Sequence, residues 1–135
     1  MKPVAVTDTH SLIWFLEDSP RLGPGAGQFF DKCVNGQGIV YVPTICLVEI
    51  VYLCEKGRIP TEFQTMLSEE LRGSSGGFIV TDLTWPVVEA LSRVPRYPAP
   101  DMPDRIIAAT ALALGVPLIT RDRALEQVPG LRVIW

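Results

Sequence analysis

The sequence predicts an α/β sandwich with a mainly parallel central sheet flanked by helices, and three observations carry that reading. Short β-branched runs alternate with longer helical patterns along the chain, and no internal repeat or low-complexity tract interrupts the alternation. The strand candidates are continuous apolar runs of the kind found in buried parallel strands. The 135 residues, 47% hydrophobic and 20% charged, suit one globular domain spanning 1–135 rather than a disordered chain.

In order, Pro3–Thr7 (PVAVT) reads as the first strand. His10–Glu17 follows as a helix whose apolar face is Leu12, Ile13, Phe15 and Leu16. Pro20–Gly36 is a second helical stretch after a start rich in proline and glycine, and Ile39–Val42 (IVYV) is the next strand. Thr44 is placed to N-cap a helix running through Lys56, closed by Gly57. Pro60–Arg72 is helical, Gly73–Gly77 (GSSGG) a flexible turn, and Phe78–Thr81 (FIVT) a strand. Trp85–Val94 forms a helix and Arg96–Pro100 an extended proline-rich loop. Asp101 opens a helix to Leu114 with Gly115 just beyond its end. Pro117–Thr120 (PLIT), a short helix at Asp122–Gln127 and an edge strand at Arg132–Trp135 complete the chain.

Fifteen acidic residues against twelve basic ones leave a net charge of −3 at pH 7. That argues against a generally basic nucleic-acid coat, though not against a nuclease whose acids gather in one site. The longest apolar stretch, Ile106 to Ile119, is broken by Thr110, Gly115 and Pro117 and is too short to span a bilayer. The N-terminus, with Lys2 and then Asp8, does not read as a signal peptide, so a cytoplasmic protein is expected. Three cysteines, an odd number, discourage a disulfide framework. Cys46 and Cys54 fall about 12 Å apart on one helix, and a disulfide tolerates only about 7 Å. Reduced, buried thiols are expected. With neither a CxxC pair nor a His/Cys cluster, zinc is not.

The acids hold the chemical interest. Ligands of open α/β sheets sit at the carboxyl ends of strands. Asp8 directly follows the first strand and Asp122 lies just past the fourth, although each could simply cap a helix. Glu49 is the one charge in ICLVEIVYLC, a run expected to be buried on most faces. An ionised carboxylate there needs a pairing partner, a proton or a cation, unless it lies on a narrow exposed stripe. Asp101 fits an N-cap, and Asp104 falls in the first turn of the same helix, where the helix dipole favours an anion. Convergence of such acids requires something positive to hold them, and oxygen ligands select hard cations such as Mg²⁺ or Mn²⁺.

The chain resembles the PIN-domain ribonucleases, specifically the VapC toxins of bacterial and archaeal type II toxin–antitoxin pairs. The resemblance lies in VTDTHSLIWFL, VPTICLVEIVYLCEKGRI, DMPDRIIAATALALGVPLITRD and the closing VIW, in that order along nearly the whole chain. It implies a PIN-like three-layer sandwich and a metal-dependent endoribonuclease using Mg²⁺, or Mn²⁺ in its place. Asp8, Glu49, Asp104 and Asp122 would form the catalytic, metal-binding pocket, with Asp8 and Asp104 foremost as direct ligands and Asp101 a cap or outer acid. It further implies RNA as substrate, a homodimer, and a VapB-like antitoxin that inserts a segment near the active site. Relatives often carry a polar residue in the loop before the DxxD segment, where this chain has Tyr97-Pro98-Ala99-Pro100, and that difference bears on which RNA is cut.

His10, the single histidine, sits beside Asp8 and is read as structural or supporting rather than as a general base. Gly23-Pro-Gly25-Ala-Gly27 follows a helix and not a strand, so it reads as a turn and not a phosphate loop. Arg105, Arg121 and Arg123 flank two of the acids and either position phosphates or lie solvated on the surface. Trp14, Trp85 and Trp135 read as core or interface anchors. A receiver-type domain needs a lysine after a late strand, and the lysines here are Lys2, Lys32 and Lys56. An Asp-x-Asp phosphotransferase fails because the residue two after Asp8 is His10. The alternative that stands is a catalytically inactive PIN-like domain that binds RNA or a partner.

Overall fold

A computed structural model describes residues 1–73, 76–97, 99 and 101–135. The expected GSSGG turn and proline-rich loop therefore lie partly outside the described residues, at Ser74, Ser75, Pro98 and Pro100. The chain runs β1 (Val4–Thr7), α1 (Thr9–Leu16), α2 (Pro24–Val34), β2 (Ile39–Pro43), α3 (Thr44–Glu55), α4 (Glu62–Leu71), β3 (Phe78–Thr81), α5 (Trp85–Leu91), α6 (Met102–Leu114), β4 (Leu118–Ile119), a 3-10 turn (Arg123–Gln127) and β5 (Val133–Ile134). The five strands pair in parallel in the order β3-β2-β1-β4-β5. This is the expected α/β sandwich of PIN type.

The order matters for function. From β1 the chain moves outward through β2 to β3, then returns to the other side of β1 for β4 and β5. Right-handed crossovers send the helices of these two halves to opposite faces, which opens a crevice above the carboxyl ends of β1 and β4. The Asp8 N–H donates to the Ile119 carbonyl at 3.1 Å and fixes those two strand ends side by side.

Apolar continuity explains the core. Val6, Val40, Val42, Leu118 and Ile119 are fully buried in the sheet, against Leu12, Phe30, Ile50 and Ile107 from the helices. Phe15 stacks on Phe30 with ring centroids 4.5 Å apart. In α6, Ala108, Ala109 and Ala111 are buried without bulk, so the helix can lie close to its neighbours. Gly57 and Gly115, at φ +70 and +68, take the left-handed conformation that ends α3 and α6. The three cysteines are free and buried. Burial pushes the Cys33 thiol up to about 11.

Four expectations are corrected. Thr44 is the first helical residue of α3 and not its cap; Pro43 precedes it, and no side chain caps the helix. Pro24–Gly27 is the first turn of α2 and not a free turn. Its glycines admit the last residue of the chain: a Cβ on Gly25 would stand 2.6 Å from the Trp135 carbonyl oxygen, to which the Gly25 N–H donates. The Asp122–Gln127 segment is a 3-10 turn rather than a regular helix.

The fourth correction concerns α3. It buries a single stripe, Cys46, Ile50 and Cys54. Val48, Val51 and Tyr52 are 48%, 41% and 58% exposed, so the apolar run is not buried on most faces. A helix laid on a sheet covers one side of itself, and no element among the described residues covers Val48, Val51 and Tyr52.

Candidate functional site

Asp8 and Asp122 are positioned by the ends of β1 and β4, and each does cap the turn that follows it. Asp8 Oδ1 accepts from the Ser11 N–H at 2.9 Å, and Asp122 Oδ1 accepts from the Ala124 N–H at 3.0 Å. Capping and site-building are compatible, because each carboxylate spends one oxygen on the backbone and keeps the other. The Asp122 N–H in turn donates to Thr120 Oγ1 at 3.1 Å, which fixes the strand exit.

Asp104 stands in the first turn of α6 with Pro103 before it. Together with Asp8 and Asp122 it lines a cavity of about 510 Å³, whose wall also holds His10, Trp14, Thr120 and Arg121. Its carboxyl is pushed up to about 6, first by desolvation in the crevice and then by the charges of Asp101, Glu49, Asp8 and Asp122. Asp104 keeps an exposed face to solvent, so desolvation is partial. Every neighbour that shifts it is an acid. Asp101 occupies the N-cap position of α6 but makes no capping hydrogen bond.

Glu49 lies to one side. It lines an adjoining groove of about 410 Å³ with Ile45, Val48, Tyr52, Met102 and Pro103, and His10 is the wall between groove and cavity. Its Oε1 accepts a short hydrogen bond from the hydroxyl of Thr9, a buried residue at the start of α1. The structural ion pair considered for Glu49 is not formed: the salt bridge among the described residues joins Arg123 to Glu126. Thr9 is the residue that sequence reasoning missed. Its one signal was a hydroxyl directly after Asp8.

Asp8, Asp104 and Asp122 thus line one cavity, and Glu49 lines the groove on the other side of His10. They are not closed into a coordination shell. Among the described residues, no three His, Cys, Asp or Glu side chains are grouped so as to hold a metal ion. The donor chemistry, oxygen throughout and with no basic ion-pair partner among the described residues, suits a hard divalent cation.

A parallel α/β sandwich with acids gathered at its topological switch point defines the class of protein. The PIN domain profile matches residues 5–131, and the chain belongs to the PIN-domain family. No curated protein sequence matches it. Solved structures show the same fold. VapBC2 from Rickettsia felis, bound to a DNA fragment from its promoter, superposes with a TM-score of 0.72 at 15% identity, covering 96% of each chain. DNA-bound VapBC from Salmonella typhimurium gives 0.67 at 20% identity, covering 98% of this chain and 97% of that one. A toxin–antitoxin complex from Klebsiella pneumoniae gives 0.61 at 22% identity, covering 94% of each. The fold closely resembles VapC-type toxins. Among the described residues, no helix is long and apolar enough to cross a membrane.

Proposed function

We propose that the chain is the ribonuclease toxin of a VapBC-type pair, hydrolysing RNA phosphodiester bonds at the acidic crevice with Mg²⁺, or Mn²⁺ in its place. The observation that carries this is geometric: Asp8, Asp104 and Asp122, from β1, α6 and the exit of β4, line one cavity, and Glu49 lines the groove that shares His10 with it. Asp8, Asp104, Glu49 and Asp122 are the residues that would hold the cation. Bound there, it would supply Lewis-acid stabilisation of the charge developing on the phosphodiester.

The chain's own residues orient and move protons. Asp8 and Asp122 are held by backbone N–H groups and Glu49 by Thr9, so each presents its remaining oxygen from a fixed base. One carboxylate of this set would orient an attacking water or take its proton. The apolar groove beside Glu49, with exposed Val48, Tyr52 and Met102, is where a VapB-like antitoxin or a second copy in a homodimer would find surface to cover. The likeness to a toxin–antitoxin complex supports that partner.

A second reading is favoured by one observation. As the side chains stand, the acids are not assembled for a metal, and a PIN domain that only binds RNA or a partner fits them without rearrangement. Cleavage of RNA by the purified chain separates the two. Mg²⁺-dependent cutting that stops in EDTA and in Asp8→Asn is expected; RNA or antitoxin binding with no cutting in Mg²⁺ or Mn²⁺ establishes the binding-only domain.

A further inference from the structure

Three arginines flank the acids in sequence, and the structure separates them by what each already holds. Arg105 is committed to the fold: its Nε and Nη2 donate to the Val94 carbonyl at 3.2 and 2.9 Å, and Nη2 also to the Leu91 carbonyl. Arg123 is paired with Glu126 at 3.1 Å. Arg121 has neither kind of bond among the described residues. It lies on the wall of the acidic cavity, one residue from Asp122, with its guanidinium 5.8 Å from the centroid of the Trp14 ring.

From this we infer that Arg121 is a positioning residue for RNA, holding a backbone phosphate at the rim of the acidic crevice. The inference rests on the reading that RNA enters this site. A phosphodiester approaching Asp8, Asp104 and Asp122 meets like charge, and a fixed cation lining the same cavity offsets that repulsion for the backbone around the reacting phosphate. A guanidinium offers five N–H donors in a planar fork that matches phosphate oxygens two at a time. Trp14 is buried and packed between His10 and Trp135, with ring centroids 5.8 and 5.9 Å away. A cation–π contact at 5.8 Å draws the Arg121 guanidinium over the ring and leaves its donors open to a ligand.

The test is fluorescence anisotropy of a short labelled single-stranded RNA, with Ca²⁺ replacing Mg²⁺, across a salt series. Arg121→Gln is expected to weaken binding about tenfold, the worth of one charge-assisted contact. Its salt slope should fall by about 0.7, the release expected for one phosphate on a single strand. Arg121→Lys should recover the slope but not the full affinity, and Arg123→Gln should leave both unchanged. Binding within twofold of wild type in Arg121→Gln, an equal loss in Arg123→Gln, no RNA binding by the wild type, or a loss confined to an antitoxin peptide would each overturn the inference. These shifts in a protein that never cuts RNA leave Arg121 in place and remove the nuclease reading. Cleavage with unchanged binding in Arg121→Gln does the reverse.

Discussion

Removing the Asp104 charge should make the metal-free protein more stable, not less. Its carboxyl carries a pKa of about 6 in the folded chain against a reference of 3.8. A carboxyl raised on folding binds its proton more tightly folded than unfolded. Stability therefore falls as pH rises from 3.8 to about 6, and the full penalty persists above that window. A shift of this size corresponds to about 3 kcal/mol for a fully buried group. Asp104 is exposed on one face, and solvent screening reduces the figure to about 1 kcal/mol. Loss of an anion from the first turn of α6 returns up to about 0.5 kcal/mol of that. Asp104→Asn should then raise the Tm in EDTA at pH 7.5 by roughly 2–4 °C, and the gain should shrink as pH drops below 6. Thermal unfolding by circular dichroism from pH 5 to pH 8, wild type against variant, reads both effects. A lower Tm for Asp104→Asn at every pH, or a gain that grows on acidification, would refute the account of crowded like charges.

Glu49→Gln keeps an oxygen to accept from Thr9, so the metal-free Tm should hold or rise while Mg²⁺ affinity and cleavage fall; a drop in stability with full activity at all Mg²⁺ concentrations would show that Glu49 is structural. Arg105→Met strands the Val94 carbonyl just beyond α5, while the Leu91 carbonyl keeps the Val94 N–H, and should cost about 1–2 kcal/mol, lowering the Tm by roughly 3–8 °C. An unchanged melting curve would mean that those bonds contribute nothing net.

Most of the fold was legible because its signals are local. β-Branched runs, glycines beyond helix ends and acids after strands depend on residues within a turn of one another, and the corresponding elements formed with shifted ends. The sequence by itself also determined which acids stand at strand exits, since Asp8 directly follows β1 and Asp122 lies just past β4. Periodicity misled at α3, where it reports that a face is apolar and not whether another element of the same chain covers it.

Only the tertiary structure decided how those parts meet. No local property of β1 or β4 says that they are neighbours; the return of the chain across β1 does, and it makes the crevice. The hydroxyl of Thr9 reaches Glu49 across forty residues of sequence. Three arginines alike on paper divide into a fold brace, a surface ion pair and a cavity wall. Propensity acts over a few residues, while hydrogen bonds and fields act over a few ångströms, and the order of the sheet alone converts one distance into the other.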